Sequence, residues 1–188
     1  MRRGVILCGP PASGKDTITR ELSQLSTDYT LFRKLKAGSG GGATYRAATV
    51  EQIQNLTEAG DILQSSRRYG NVYAVDRREL ESLFRRDAVP IIHMGDLAGV
   101  RTLQTYPAAW LSVLLCCSRQ LTEDRLHERA SNDVAGRMAA WDEAAIDLAQ
   151  SRPGDFDLYI DTAQRSIGNA AQAIHDQLIS LPITRLIA

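Results

Sequence analysis

The sequence has no excess of charge of either sign. Its 188 residues include 22 lysines and arginines and 22 aspartates and glutamates, so the formal net charge at pH 7 is zero. A balanced chain lacks the bulk electrostatic attraction that draws proteins to nucleic acids and anionic membranes. We therefore expect no nucleic-acid partner and no membrane partner.

The sequence is also poor in cysteine. The chain has three cysteines, an odd number, at positions Cys8, Cys116 and Cys117, and they show no C-x-x-C spacing. This pattern argues against a disulfide framework and against a cysteine zinc site. Each lies in a predicted strand, and we expect all three to be buried as small apolar residues. The three histidines are scattered and match no metal-ligand spacing.

Long apolar runs are missing as well. No run approaches membrane-spanning length, and the first one, after residues 1–4, is too short for a signal peptide because a glycine-rich segment interrupts it. A hydrophobic content of 44% over 188 residues suits one globular core. We expect a cytoplasmic protein with one domain, residues 1–188.

What the sequence does contain is the segment GPPASGKDT at residues 9–17. It matches the phosphate-binding pattern G-x-x-x-x-G-K-S/T at every defined place except the last, where Asp16 stands and Thr17 follows one residue late. Such a loop turns backbone N–H groups and the positive end of a helix toward a phosphate, and Lys15 adds a mobile charge. The predicted nucleotide-binding residues are Gly9, Ala12, Ser13, Gly14, Lys15, Asp16 and Thr17.

The context of this segment supports the match. The apolar run at residues 5–8 suits a buried parallel strand, and Ile18, Leu22 and Leu25 have the spacing of an amphipathic helix. A glycine-rich turn that binds nothing is the alternative, and a strand before and a helix after the segment argue against it.

Strand and helix patterns alternate along much of the remaining chain. Apolar runs predict strands at 88–94, 110–117 and 156–161, and amphipathic spacing predicts helices at 97–105, 118–129, 134–148 and 167–181. This alternation predicts an α/β fold with an open parallel sheet, covered by helices on both faces, and a ligand site at the carboxyl ends of its strands.

Residues 31–84 interrupt the alternation and predict an inserted acceptor-binding lobe. A short strand at 29–35 is followed by a glycine-rich stretch, 37–43, which we interpret as a second ligand loop or a hinge. Thr49 and Gln52 form a capping-box pair before a helix that ends at Gly60, and Gly70–Asn71 predicts a hairpin turn. A short lid is predicted at 125–137, which leaves 1–30, 85–124 and 138–188 as the core.

From residue 5 to about residue 162, the chain resembles the guanylate kinase family. Residues 9–15 resemble its G-P-S-G-x-G-K loop, and residues 96–100, DLAGV, are similar to its D-x-Q-G-A/V segment. Residues 125–129, RLHER, resemble its lid pattern R-L-x-x-R-G, and Arg137 stands for the later lid arginine. By this resemblance the phosphate of the acceptor is held by Arg33, Lys36 and Tyr45. Residues 70–73, GNVY, resemble the family's G-N-Y-Y-G turn, and Tyr73 is implied as a further substrate-binding residue.

The resemblance implies an ATP-dependent phosphotransferase of the P-loop kinase class. It would move the γ-phosphoryl group to the phosphate of a nucleoside monophosphate or a related small phosphorylated acceptor, by in-line transfer in which the protein positions groups and neutralises charge. The implied cofactors are ATP and Mg²⁺, and the implied protein is a monomer or a homodimer.

Each implied site residue has a role in this transfer. Lys15 bridges the β- and γ-oxygens, Asp16 and Thr17 support Mg²⁺, and Asp96 orients the acceptor or a metal-bound water. The lid arginines close over the transferring group; they are Arg125, Arg129 and Arg137.

Three positions depart from the guanylate kinase pattern. Gln64 stands where a glutamate accepts hydrogen bonds from guanine N1 and N2, and Val75 replaces a serine or threonine near the base. An amide offers one acceptor and one donor group, so this pair no longer complements guanine. Asp16 resembles the G-K-D-S/T loop of ribose 1,5-bisphosphate phosphokinases, and the other interpretation of this residue is an acid that only stabilises the helix start.

Two alternative functions are also consistent with the sequence. One is a ribose 1,5-bisphosphate phosphokinase that forms 5-phosphoribosyl diphosphate. The other is a non-catalytic binding module similar to the guanylate-kinase-like domains of scaffold proteins, against which the intact Gly14–Lys15 pair argues.

Overall fold

The computed structural model describes residues 2–39, 42–68, 70–131 and 133–181. Two glycines of the predicted loop at 37–43, Gly40 and Gly41, lie outside the described residues. The strands are β1 (Arg3–Cys8), β2 (Tyr29–Leu31), β3 (Lys34–Ala37), β4 (Tyr45–Ala47), β5 (Ile62–Arg68), β6 (Asn71–Asp76), β7 (Val89–Met94), β8 (Ala109–Cys116) and β9 (Leu158–Asp161). The helices are α1 (Lys15–Leu25), α2 (Val50–Glu58), α3 (Arg77–Arg85), α4 (Leu97–Gln104), α5 (Arg119–Glu128), α6 (Val134–Leu148) and α7 (Ile167–Ser180).

Five of the strands form a parallel sheet in the order β2-β7-β1-β8-β9. Side chains alternate across β1, because successive residues of a strand point to opposite faces. Ile6 and Cys8 belong to a core with α3 and α4, whereas Val5 and Leu7 belong to a core with α1 and α7. The predicted α/β fold with helices on both faces is thereby confirmed.

A second sheet, in the order β4-β3-β6-β5, lies in the interrupting segment. One of its faces packs on α2 through Leu35, Ala37, Ala74 and Ile53. The helix begins with the predicted capping box, in which the Thr49 side chain accepts from the Gln52 N–H and the Gln52 side chain accepts from the Thr49 N–H. The opposite face of this sheet carries Lys34, Lys36 and Tyr73.

Two sequence predictions about these elements are wrong. The strand predicted at 29–35 is two short strands, since β2 joins the main sheet and β3 joins the second sheet, with a break at Phe32–Arg33. The three cysteines also differ in burial: Cys8 is buried, but Cys116 is exposed and Cys117 lies just beyond β8 at intermediate exposure. Apolar pattern alone did not show where β8 emerges from the core.

None of the described helices is both long enough and apolar enough to cross a membrane.

A bidentate ion pair connects the segment before β9 to α4. Arg101 donates from Nε and Nη2 to the two carboxylate oxygens of Asp155, each at 2.7 Å, and Asp155 also accepts from the backbone N–H of Arg152. The Arg101 hydrogen bond and the Arg152 N–H hold the pKa of Asp155 at about 2. Because the folded-state pKa lies below the unfolded one, this contribution is present above about pH 4 and is lost as the pH falls toward 2.

Asp155→Asn is therefore expected to lower the melting temperature at pH 7 by about 3–6 °C. The substitution should lower the melting temperature less at pH 3, because the Asp155 carboxylate is already partly protonated there in the unfolded chain. Thermal melts at the two pH values measure this. Asp142→Asn, which removes the exposed pair with Arg119, is the control and should shift the melting temperature less than Asp155→Asn; equal shifts in the two variants would contradict the expectation.

Candidate active site

The phosphate loop connects the end of β1 to the start of α1. Gly14 caps α1 with φ of 99°, a left-handed conformation that favours glycine, and Ala12 has φ of 56°. A Cβ atom on Gly9 would lie 2.6 Å from the carbonyl oxygen of Leu115 and 2.7 Å from Ser13 Oγ. Glycine at position 9 therefore lets the loop pack against the end of β8.

Lys15 folds back over this loop. Its Nζ donates to the carbonyl oxygens of Gly9 at 2.6 Å and Pro10 at 2.8 Å, and to Ser13 Oγ at 3.3 Å. Burial lowers the pKa of Lys15. The ammonium group thus lies at the centre of the loop, where phosphate oxygens could take over its carbonyl contacts.

Asp16 and Thr17 lie on the first turn of α1. The Asp16 side chain is 64% exposed, and its Oδ1 lies 3.7 Å from Nδ1 of His93 on β7. The other ring nitrogen of His93, Nε2, is 2.7 Å from Thr19 Oγ1. Burial, together with the positive charges of Lys15 and Lys34, lowers the pKa of His93 to about 3, so the ring is neutral at physiological pH.

The three predicted lid arginines are placed differently. Arg125 already contacts the phosphate loop, since its guanidinium donates to the carbonyl oxygen of Ala12 at 3.0 Å and to Thr162 through Oγ1 at 3.0 Å and its carbonyl oxygen at 2.9 Å. Arg129 caps the end of α5, and Arg137 lies on the first turn of α6; both are exposed. The structure therefore brings Arg125 to the loop and leaves the other two at the surface.

The face of the second sheet opposite α2 carries residues predicted to bind the acceptor. Tyr45 and Tyr73 have ring centroids 5.4 Å apart, and the Lys36 ammonium lies 5.5 and 5.7 Å from these two centroids. Arg33 is exposed beside them and donates to the Tyr45 carbonyl oxygen at 2.7 Å. Lys36, Tyr45 and Tyr73 therefore form one cluster, with Arg33 at its edge.

Lys34 lies beside this cluster and was not among the residues that the sequence predicted for the site. It lies on the same face as Lys36, two residues earlier on β3, and its Nζ is 5.8 Å from the Tyr73 ring centroid and 3.8 Å from Met94 Sδ. Burial lowers the pKa of Lys34 to about 8, although Asp96 opposes this shift. The alternation Lys-Leu-Lys at 34–36 was the signal for this residue, because period two puts both lysines on one face.

A cleft of about 520 Å³ lies between the second sheet and the amino-terminal end of α4. Asp96 caps α4, since its Oδ1 accepts from the Gly99 N–H at 2.6 Å, and its Oδ2 lies 3.7 Å from Arg68 Nε. A Cβ on Gly99 would lie 3.3 Å from Gln64 Nε2, so glycine permits this close approach. The described residues lining the cleft are Leu63, Gln64, Ser65, Ser66, Arg67, Arg68, Asp96, Ala98, Gly99, Thr102 and Asp147.

Gln64 is the most informative residue of this lining. It is 7% exposed, and its buried Oε1 has no hydrogen-bond partner among the described residues. A buried polar atom without a partner is costly, so a ligand that donates a hydrogen bond to it would relieve that cost. Val75, the second residue predicted to lie near the base, is fully buried in the core and is not among the residues that line the cleft, so its contact with an acceptor stays a prediction.

Asp147 joins α6 to this cleft, and sequence patterns gave no signal for it. Its Oδ2 accepts from the Leu97 N–H at 2.8 Å, so a carboxylate from α6 contacts the first turn of α4. The same helix carries Arg137 on its first turn. The helix α6 thus extends from the predicted lid, 125–137, to the cleft.

The oxygens at the loop suit Mg²⁺ bound to a nucleotide. No group of three or more His, Cys, Asp and Glu side chains able to hold a metal occurs among the residues that the structure describes. Mg²⁺ needs no such cage, because it keeps several waters and binds one or two carboxylates plus substrate phosphates. The exposed carboxylate of Asp16, beside the phosphate loop, fits that requirement.

The fold of the chain, with its phosphate-binding loop after β1, matches the fold of the P-loop kinases. A guanylate kinase from Anaplasma phagocytophilum superposes with a TM-score of 0.67 at 18% identity, covering 98% of this chain and 89% of that one. A gluconokinase from Sinorhizobium meliloti superposes with a TM-score of 0.53 at 17% identity, covering 94% and 93%. No family model matches the chain.

Within that class, the sequence is similar to guanylate kinases over nearly its whole length. The chain is 26% identical to the guanylate kinase of Sus scrofa, with 94% of this chain and 93% of the relative covered. It is 27% identical to that of Nitratidesulfovibrio vulgaris, with 94% and 87% covered. The resemblance predicted from the motifs is confirmed, and the predicted kinase class agrees with the names of these relatives.

Proposed function

We propose that this protein is an ATP-dependent phosphotransferase of the guanylate kinase type, which transfers the γ-phosphoryl group of ATP to the phosphate of a small acceptor. One observation carries the proposal: strand β3 of the second sheet, which bears Lys34 and Lys36, lies next to the phosphate loop. The Lys34 ammonium of the second sheet lies 3.8 Å from Met94 Sδ, and the Met94 carbonyl oxygen accepts from the Gly9 N–H at the start of the phosphate loop.

The donor phosphates would lie in the phosphate loop. Lys15 would exchange its carbonyl contacts for β- and γ-oxygens, and Arg125 would hold the loop to the segment after β9. Mg²⁺, held by Asp16 and Thr17 with Asp96 as the acceptor-side carboxylate, would supply neutralisation of the negative charge on the phosphates. The protein's task is positioning and electrostatic stabilisation, because phosphoryl transfer needs no covalent intermediate.

The acceptor phosphate would lie against the lysine and tyrosine cluster of the second sheet. Lys36 and Lys34 bring positive charge to one face, while the hydroxyl groups of Tyr45 and Tyr73 can donate to phosphate oxygens. Arg129 and Arg137, exposed at the surface, would move toward the transferring group when the segment 125–137 closes. Closure would exclude water, so that the γ-phosphoryl group goes to the acceptor.

A second candidate, a ribose 1,5-bisphosphate phosphokinase, is favoured by the composition of the cleft. The described lining residues include no aromatic side chain that could stack on a base. They do include hydroxyl, amide, carboxylate and guanidinium groups that suit the hydroxyl groups of a sugar.

A panel of acceptors tests the proposal. Purified protein, ATP and Mg²⁺ are combined separately with GMP, AMP, CMP, UMP and ribose 1,5-bisphosphate, and acceptor-dependent ADP release is measured. We expect turnover with at least one member and less turnover with GMP than a glutamate at position 64 would allow. Turnover of the sugar phosphate alone would favour the second candidate. Absence of ATP binding by calorimetry would support a non-catalytic binding module and contradict the proposal.

Gln64→Glu is expected to raise kcat/KM for GMP about tenfold or more. The carboxylate would accept hydrogen bonds from both guanine N1 and N2, which the amide of Gln64 cannot do. Steady-state rates with GMP and AMP measure the change in preference. Gln54→Glu, the same substitution on α2 beside the opposite face of the second sheet, is the control, and a Gln64→Glu enzyme with unchanged preference for GMP over AMP would show that this residue does not contact the acceptor.

A further inference from the structure

His93, which lies outside the phosphate loop, is beside Asp16, one of the predicted cation ligands. His93 is on β7, next to β1 in the main sheet, and its side chain is 16% exposed. It faces α1, where Asp16 and Thr19 are three residues apart and therefore lie on the same face of the helix. One imidazole ring thus contacts two side chains of the first helix.

The two ring nitrogens have different surroundings. Nε2 is held at 2.7 Å from the Thr19 hydroxyl, and Thr19 is itself 6% exposed. Nδ1 faces the Asp16 carboxylate at 3.7 Å, about 0.7 Å longer than a hydrogen bond. Because the Asp16 side chain is 64% exposed, packing does not block its rotation toward Nδ1.

An aspartate at this position of the loop needs such a partner. The serine or threonine of the usual pattern has one rotatable bond between backbone and hydroxyl, whereas the aspartate carboxylate is longer and turns about a second bond. In a neutral imidazole one nitrogen donates and the other accepts. If Thr19 donates to Nε2, then Nδ1–H donates to Asp16 and fixes the direction of its second oxygen.

We propose that His93 is a positioning residue that orients the Asp16 carboxylate toward the divalent cation of the bound nucleotide. The proposal rests on the proposed function, since it requires a nucleotide in the phosphate loop. Histidine–carboxylate pairs commonly orient metal ligands, and loss of such a partner costs about 10- to 100-fold in metal affinity. The residue contacts neither the substrate nor the cation itself.

Two substitutions separate the two nitrogens of the ring. His93→Gln places its amide near the position of Nε2 and keeps the contact with Thr19, while His93→Asn places its amide near Nδ1 and keeps the contact with Asp16. Mn²⁺ affinity for the protein–ADP complex is measured by electron paramagnetic resonance of free Mn²⁺. We expect His93→Gln to weaken this affinity about tenfold and His93→Asn to leave it within about threefold of the original protein.

A double-mutant cycle with Asp16→Ser provides the decisive control. In the Asp16→Ser background, His93→Gln should change Mn²⁺ affinity less than about twofold, because the carboxylate that it orients is gone. ADP affinity without metal and the melting temperature report nucleotide binding and folding separately, and both should stay unchanged in His93→Gln.

Two results would overturn the inference while leaving the proposed function standing: unchanged Mn²⁺ affinity in His93→Gln, or an equal loss of affinity in both backgrounds. A different result, failure of the unsubstituted protein to bind ADP with or without Mn²⁺, would overturn the proposed function and this inference with it.

Discussion

Lys15→Ala is expected to lower kcat by about 10²- to 10³-fold. Lys15 carries the one mobile positive charge of the phosphate loop motif, and its ammonium group is already centred on the loop by the carbonyl oxygens of Gly9 and Pro10. Removing it leaves the γ-phosphoryl group without this partner as charge redistributes during transfer. Initial rates at saturating ATP and acceptor measure the loss.

Arg20→Ala is the matched control for this prediction, because Arg20 is an exposed cation on the same helix. It should leave kcat unchanged. Circular dichroism is needed alongside, since Lys15 also contacts the loop in the free protein and its loss could alter folding. A folded Lys15→Ala protein with the original kcat would mean that the loop does not hold the donor.

Lys36→Ala is expected to raise KM for the acceptor about 10- to 100-fold, with KM for ATP unchanged. The Lys36 ammonium lies within 5.7 Å of both tyrosine ring centroids of the second sheet, where a phosphate would receive charge-assisted hydrogen bonds. Steady-state kinetics with each substrate varied in turn separate the two KM values.

Two further variants serve as controls for Lys36→Ala. Lys36→Arg keeps the positive charge and should recover part of the affinity, although a guanidinium differs in shape from an ammonium. Arg85→Ala removes an exposed cation from α3 and should change neither KM. Equal increases in both KM values for Lys36→Ala would show a general loss of structure and would contradict an acceptor-specific role.

Local sequence signals predicted the parts of the structure that depend on near neighbours. The loop 9–17 is one such part, because its glycines and the adjoining β1 and α1 lie within about twenty residues. The capping pair of Thr49 and Gln52 and the hairpin at Gly70–Asn71 are others. Each is fixed by hydrogen bonds or backbone angles that two to four consecutive residues determine.

Contacts between segments that are distant in sequence could not be predicted, because they depend on how the strands and helices pack. Arg125 reaches Ala12 and Thr162, and Asp147 reaches Leu97, only because strand order brings these segments together. The same holds for Phe32–Arg33, where the chain leaves one sheet for another without a turn signal. Packing between elements, which no local pattern records, decides these contacts.

The roles of the predicted site residues stay predictions, although the geometry groups several of them. Lys36, Tyr45 and Tyr73 lie together, and Gln64 lines the cleft beside Asp96. Val75 is buried because side chains alternate between the two faces of β6, and its face packs against the core that includes Leu97 and Val100. The resemblance supplied positions along the chain, and the packing of the second sheet shows which of these residues lie together.

Phosphorus-31 nuclear magnetic resonance of the reaction mixture tests the central claim most directly. ATP and Mg²⁺ are incubated with the protein and each acceptor of the panel, and Lys15→Ala protein is run in parallel. Transfer to an acceptor phosphate predicts that, for at least one acceptor, its monoester resonance is replaced by the coupled resonances of a diphosphate as ADP forms in equal amount. Consumption of ATP to ADP and inorganic phosphate with every acceptor unchanged, or no consumption at all, would contradict it.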